Sequence, residues 1–298
     1  MTRNGNYMNK RITEPLIGAH ISIAGGLEQA LYRGASIGCT AIQIFTHSNR
    51  SWIMPPLDDA QIDVFFQAKK ETGITSIAVH ASYLINLASP KQLVYSRSIQ
   101  ALCDELARCE LLKIPFLVLH PGSPLGETAE YGITRISEAL ATIFTTVPHH
   151  NTLLLLENMA GQGYTLGSRL EELAAIHTAI ADRKRLGFCI DTCHAFAAGY
   201  SFTDPSSYQQ FWNTCHTILG KKSVQLIHVN DSQGAYNSRV DRHADIGKGN
   251  IGIQAFSALI NDPSLMHIPK ILETPHNSLA DDQRNLECLR SLLKKDRS

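Results

Sequence analysis

Short apolar runs, each too brief for a helix, recur eight times along this 298-residue chain. They are LIGAH (16–20), AIQIFTH (41–47), SIAVH (76–80), FLVLH (116–120), TLLLLEN (152–158), LGFCID (186–191), VQLIHVND (224–231) and KILE (270–273). Each is rich in Ile, Leu or Val and free of internal proline, the pattern of a buried strand. The intervals are long enough for crossover helices. LEQALYRGASIG (27–38) and DDAQIDVFFQAKKETG (58–73) carry apolar residues at three- and four-residue spacing and end on glycine. SPKQLVYSRSIQALCDELARCELL (89–112) and GSRLEELAAIHTAIADRK (167–184) repeat the pattern from serine-led starts. Eight such alternations without a break in composition predict an α/β fold with a parallel sheet. They close most simply into a single-domain (β/α)8 TIM barrel, with an open doubly wound sheet as the alternative.

The domain is expected over residues 15–298, after a polar tail at 1–14 in which Met8 is an alternative start. That tail lacks the apolar stretch of a secretory signal, and no run approaches the ~18 apolar residues of a membrane span. Seven scattered cysteines point to reduced thiols in a cytoplasm. Lys plus Arg and Asp plus Glu balance at 27 each, which excludes a protein that coats nucleic acid through a basic surplus. An anionic partner would have to be held by a local cluster or by bound metal.

The ends of the runs carry the chemistry. The third closes on His80, the fourth on His120, the fifth reaches Glu157, and the sixth closes on Asp191 with His194 three residues later. The seventh contains His228 and the eighth closes on Glu273. Carboxyl ends of barrel strands converge on one face, so six consecutive strands would deliver imidazole or carboxylate to one small volume. Any one of these residues reads equally well as a hydrogen-bonded histidine or a helix cap. The set does not, because carboxylates packed together without neutralisation are costly. The expectation is a metal site.

GKGNIG (247–252) spells the G-x-G-x-x-G of a dinucleotide turn, with Glu273 downstream where a ribose partner would stand. Such a turn must follow its strand directly, yet SQGAYNSRVDRHADI (232–246) intervenes. The glycines are instead expected to let a long loop turn back into its helix. Within that loop Asp241 and His243, two apart in an extended segment, project together as two more ligands. Nine candidates result: His80, His120, Glu157, Asp191, His194, His228, Asp241, His243 and Glu273. That number suits two or three ions, and a His/Asp/Glu set favours zinc or manganese over magnesium. Cys193 lies between two of them and is expected to point away. Clustered ions with open positions activate water and neutralise the oxygens of a phosphoester displacement. No Walker pattern is present.

HASYLINLASP, FLVLHPGS, LLLLENMAGQG, CIDTCHAFAAGY, LIHVNDSQGAYNSRVDRHADIGKGNIG and ILETP together resemble the endonuclease IV family of apurinic/apyrimidinic endonucleases. The resemblance runs from about residue 16 to 275. It implies three zinc ions, with manganese able to stand in, and hydrolysis of double-stranded DNA 5′ to an abasic site. The products would be a 3′-hydroxyl and a 5′-deoxyribose phosphate, and 3′-blocked ends would also be cleared. By the family pattern His80 and His120 hold one zinc and Glu157 bridges it to a second. Asp191, His228 and Glu273 complete that second site, and His194, Asp241 and His243 hold the third. Glu157 or Glu273 would be the catalytic carboxylate that orients the attacking water. Arg50, Tyr83 and Leu84 correspond to side chains that enter the duplex, where the abasic nucleotide is flipped out. His47 and Ser51 depart from the commoner pattern, in which a basic residue and an amide stand there. The resemblance also implies a monomer that needs neither a nucleotide cofactor nor a membrane.

Two rivals remain at this level. A sugar isomerase or epimerase on the same barrel would hold one manganese through Glu157, Asp191, His228 and Glu273, leaving five candidates surplus. A binding-only protein with structural zinc would need a closed, usually cysteine-rich site.

Overall fold

All eight apolar runs form strands, and all pair in parallel in one closed barrel. The computed structural model describes residues 15–148 and 151–294, so the expected polar tail at 1–14 lies outside the described residues. The barrel strands are β1 (Ile17–His20), β2 (Ala41–Ile44), β3 (Ser76–His80), β4 (Phe116–Leu119), β5 (Leu153–Glu157), β6 (Leu186–Asp191), β7 (Val224–His228) and β10 (Lys270–Leu272). Around the barrel they run β1-β10-β7-β6-β5-β4-β3-β2, so neighbours in the chain are neighbours in space. A two-residue antiparallel ribbon, β8 (Asp231–Ser232) with β9 (His243–Ala244), stands in the long loop after β7. The runs at 41–47 and 224–231 are longer than their strands. The strands end at Ile44 and His228, although Val229 N–H still donates to the Ile271 carbonyl.

Helices α1 (Leu27–Ser36), α2 (Asp59–Thr72), α3 (Gln92–Leu111), α4 (Ala129–Thr146), α5 (Leu170–Ala179), α6 (Thr192–Ala197), α7 (Pro205–Leu219), α8 (Ile253–Ile260) and α9 (Leu279–Ser291) fill the intervals. α2 begins on a reciprocal Asp58–Gln61 capping box and stops at Gly73 in the left-handed region. The serine-led starts lie slightly upstream of the helices they announce. Ser89 Oγ accepts the N–H of Lys91 in the approach to α3, and α5 begins at Leu170 rather than at Ser168. α5 also ends early, at Ala179, and Arg183–Arg185 forms a separate 3-10 turn.

Two apolar layers result. Ala41, Ala78, Val118, Leu155, Cys189, Leu226 and Ile271 fill the barrel interior. A larger shell, including Phe65, Leu102, Leu140 and Phe256, packs the helices on the outside. At Gly18 the neighbouring strand comes so close that a Cβ would sit 1.5 Å from the Ala41 carbonyl oxygen, so β1 tolerates only glycine there. Lys270 is buried at the start of β10, where its amine donates to the carbonyls of Leu265 and Ile268 and burial pulls its pKa down to about 8. Among the described residues no helix is long and apolar enough to cross a membrane.

The G-x-G-x-x-G segment has a structural occupant. Asp231, buried at the start of the ribbon, accepts the N–H groups of Gly247 and Gly249 on one carboxylate oxygen and those of Ser232 and Ile251 on the other. The amides that would cradle a pyrophosphate in a dinucleotide fold therefore hold the protein's own carboxylate. A Cβ at Gly249 would lie 2.4 Å from that carboxylate, which explains the glycine. Gly252, at φ 86°, precedes α8 as its N-cap, the turn-back expected of these glycines. Asp231→Ala strands four N–H groups together and should cost about 3 kcal/mol or more in urea unfolding. A loss below about 1 kcal/mol would show that the loop does not depend on this clamp.

Candidate metal centre

Because the strands are parallel and in register, their carboxyl ends form one rim, and that rim carries the chemistry. Asp191 pairs with His228 across β6 and β7 after a register irregularity at Phe188/Cys189, and Glu157 pairs with Cys189. All nine expected side chains converge there. Potential ligand atoms gather as His80, His120 and Glu157; as Glu157, Asp191, His228 and Glu273; and as His194, Asp241 and His243, within 4.8 Å of one another in each group. Glu157 belongs to two groups, as a bridging carboxylate would.

The spacing between donors is informative. Two ligands each about 2.0–2.1 Å from a tetrahedral zinc stand about 3.3–3.4 Å apart. His80 Nε2 and His120 Nε2 each lie 3.3 Å from Glu157 Oε2. His194 Nε2 and His243 Nε2 lie 3.2 and 3.4 Å from Asp241 Oδ1. His228 Nδ1 lies 3.2 Å from Glu273 Oε2. Charge-assisted hydrogen bonds are shorter, about 2.7–2.9 Å. Glu157 Oε2 and His243 Nε2 are moreover buried without any hydrogen-bond partner. Buried polar atoms left unpaired are costly, and a shared cation between them removes that cost. The donor set and its spacing fit divalent ions.

The imidazoles are oriented from behind. A carbonyl oxygen only accepts, so the ring nitrogen that meets it must carry the proton and the other nitrogen keeps its lone pair. His80 Nδ1 donates to the Ala81 carbonyl, His194 Nδ1 to Asn158 and His243 Nδ1 to Glu273. Their Nε2 atoms are thereby left for the cluster. Asp191 is fixed from two sides: Asn230 Nδ2 donates to its Oδ2 at 2.7 Å, and its Oδ1 accepts the backbone N–H of His194. Cys193 does not point away as expected, since its Sγ lies within 4.8 Å of donors of Asp191 and His243. Burial raises its pKa to about 12, and it donates to the Arg242 carbonyl, so it stays a thiol.

Two polar residues of this cluster went unnoticed among the runs. His20 closes β1 as His80 closes β3, and Gln43 is the one polar side chain within β2. Gln43 is fully buried and bonds to His228, Glu273 and His20 together. The available signals were a histidine ending an apolar run and a lone amide within one.

The cluster is open on one side. His120, Asp241, His243 and Glu273 keep 26, 25, 17 and 13% of their side-chain surface exposed, whereas Glu157, Asp191 and His228 keep none. Tyr83 leans over this opening, its ring 5.1 Å from His80 and 5.6 Å from His120. Arg50 is exposed on the loop after β2, and Leu84 follows Tyr83, half-buried, on the loop after β3. Ser82 Oγ donates to the Asn49 carbonyl and so ties the two loops together. From α3, Glu105 accepts Ser82 N–H and Thr46 Oγ1–H, while Arg108 donates to the carbonyls of Thr46 and Pro55. His47 turns inward, its Nε2 3.3 Å from the Ser51 carbonyl and its Nδ1 3.6 Å from Glu105.

The carboxylates and imidazoles of the cluster set one another's charge. Burial would raise Glu157, but the charges of His228 and His120 beside it hold it well below the carboxylate range. Burial would lower the imidazoles. Glu157 and Glu273 outweigh it at His80, holding that ring above the ordinary value, and Asp191, Asp241 and Glu157 hold His194 well above; at His228 the Cys189 sulfur, then Glu273 and Glu157, do the same. A raised pKa favours the protonated ring, whereas a metal takes only the neutral form. Metal binding must therefore release protons. Zinc affinity, measured by chelator competition, should weaken as pH falls from about 8 to 6, by up to about tenfold per unit for each proton displaced. A pH-independent affinity would contradict this charge assignment.

Comparison with known proteins agrees with the geometry. A family model described as a xylose isomerase-like TIM barrel matches residues 31–292. The chain is 44% identical to a probable endonuclease 4 of Chloroflexus aggregans over 94% of its length and 98% of the relative's. It is 42% identical to a probable endonuclease 4 of Geotalea daltonii over 93% of its length and 98% of that protein's. The crystal structure of endonuclease IV from Thermus thermophilus superposes with a TM-score of 0.83 at 35% identity, covering 93% of this chain and 98% of the other. A D-tagatose 3-epimerase-like protein, at 21% identity and a TM-score of 0.70, shares the fold. Sequence, barrel and relatives agree, and this chain belongs to the endonuclease IV family.

Proposed function

We propose that this protein is a zinc-dependent DNA-repair endonuclease that hydrolyses the phosphodiester 5′ to an abasic site, leaving a 3′-hydroxyl and a 5′-deoxyribose phosphate. The observation that carries the reading is the three-group cluster joined through Glu157 and open on one face. A single-ion sugar isomerase would use Glu157, Asp191, His228 and Glu273 alone. It would give no reason for His194, Asp241 and His243 to converge beside them.

His80, His120 and Glu157 would hold one zinc, Glu157, Asp191, His228 and Glu273 a second, and His194, Asp241 and His243 a third. Bound ions of this kind activate water and neutralise the oxygens of the phosphate. The remaining roles belong to the chain. Glu157 and Glu273 are the carboxylates able to orient the attacking water and take its proton. Glu157 is buried and shared between groups, while Glu273 reaches the open side. Tyr83 packs against His80 of the cluster, and Arg50 and Leu84, on the two loops tied by Ser82, would be the side chains that enter the duplex. A phosphate must leave the duplex surface to reach the recessed rim, and an abasic nucleotide is cheap to flip because it has no base to unstack. We extend the proposal to the clearing of 3′-blocked ends, whose phosphate the same ions would meet, and to action as a monomer without a nucleotide cofactor.

A duplex carrying one tetrahydrofuran abasic analogue tests the reaction, because the analogue cannot undergo β-elimination. Zinc-loaded protein should cut 5′ to it and leave a 3′-hydroxyl, with undamaged duplex intact. Glu273→Gln should slow the cut by roughly 10²–10⁴-fold. No incision by folded, zinc-loaded protein would remove the endonuclease reading.

A further inference from the structure

Gln43 lies at the centre of β2, fully buried, with its amide aimed at the metal centre. Its orientation follows from its partners. Its Nε2 stands 2.6 Å from Glu273 Oε1, and an ionised carboxylate only accepts, so the NH2 end must face Glu273. Its Oε1 then faces His228 Nε2 at 2.8 Å, and an amide oxygen accepts, so His228 must carry its proton on Nε2. The lone pair of His228 is thereby placed on Nδ1. That atom lies 3.0 Å from Glu157 Oε1 and 3.2 Å from Glu273 Oε2, inside the four-residue group. The same amide holds Glu273 Oε1, so Oε2 is the oxygen turned to the cluster.

We infer that Gln43 is the positioning residue of the central metal site, setting both the tautomer of His228 and the ligating oxygen of Glu273. The inference rests on the metal-centre reading above. His80, His194 and His243 have their far nitrogens held by backbone carbonyls, which no substitution removes. His228 is held by a side chain instead, so its ligation depends on the residue chosen at position 43. His20 completes the support: its Nδ1 lies 3.0 Å from Gln43 Nε2 and 3.4 Å from Glu273 Oε1. Partners behind metal-binding imidazoles and carboxylates commonly set metal affinity by 10–100-fold, roughly, although they never touch the metal.

The test is Gln43→Met, which keeps the length of the side chain and removes its hydrogen bonds to His228, Glu273 and His20. Zinc content and affinity are read by chelator competition on the full protein, and kcat and KM on the tetrahydrofuran duplex. One zinc should bind roughly 10–100-fold more weakly than in the wild type, with the others unchanged. At limiting zinc kcat should fall with KM for the duplex unchanged, because the loops that would meet DNA are untouched. Gln43→Ala removes the same bonds without adding bulk and reads the same quantities if the Met variant does not fold. Zinc affinities and kcat within about twofold of wild type in a folded variant would overturn the inference, being well short of the expected loss. The zinc readout does not use DNA, so wild type that binds three zinc ions but cuts nothing would defeat the functional reading and leave the Gln43 result standing. Wild type that binds no zinc would defeat both.

Discussion

The centre of this molecule is one carboxylate. Glu157 is fully buried at the end of β5, yet His80, His120, His194 and His228 each bring a ring nitrogen within 3.3 Å of its oxygens. A buried carboxylate surrounded by imidazoles is stable only if positive charge is shared with it, as protons on the rings or as cations between the donors. Its unpartnered Oε2 and the donor spacings near 3.3 Å favour cations. The surrounding structure serves to hold this concentration of like and unlike charges at fixed distances.

A closed parallel barrel suits that task. It aims every strand's carboxyl end at the same rim, and its backbone supplies rigid acceptors behind the rings, at Ala81, Asn158 and Glu273. One group, formed by His194, Asp241 and His243, needs help from beyond the strands. His194 comes from the short α6 and the other two from the loop after β7, which Asp231 closes by gathering four of its backbone amides. The clamp and two of the candidate ligands therefore share one loop, so a dinucleotide-like glycine pattern here shapes the loop that carries Asp241 and His243.

Much of this was legible in the sequence because strands buried on both faces read as plain apolar runs, and chemistry placed at their ends stands out against them. The eight strands and most of the side chains at the rim follow from that contrast alone. Asp241 and His243 needed a further argument, the alternation of an extended segment, since no strand of the barrel carries them. Other features lacked a local signal. The Asp231 clamp reaches residues sixteen to twenty positions away through backbone amides, which composition does not reveal. The inward turn of His47 follows from its packing over Glu105. Gln43 could have been suspected as an amide within AIQIF, but its partners lie on β7 and just past β10, 185 and 230 residues away.

Anomalous diffraction at the zinc absorption edge, from crystals of the zinc-loaded protein, tests the central claim most directly. The account predicts three peaks, each about 2.0–2.1 Å from its donors. One should lie among His80, His120 and Glu157, one among Glu157, Asp191, His228 and Glu273, and one among His194, Asp241 and His243. A single peak confined to the four-residue group, with the other imidazoles empty, would contradict it and leave the architecture of a one-metal sugar isomerase.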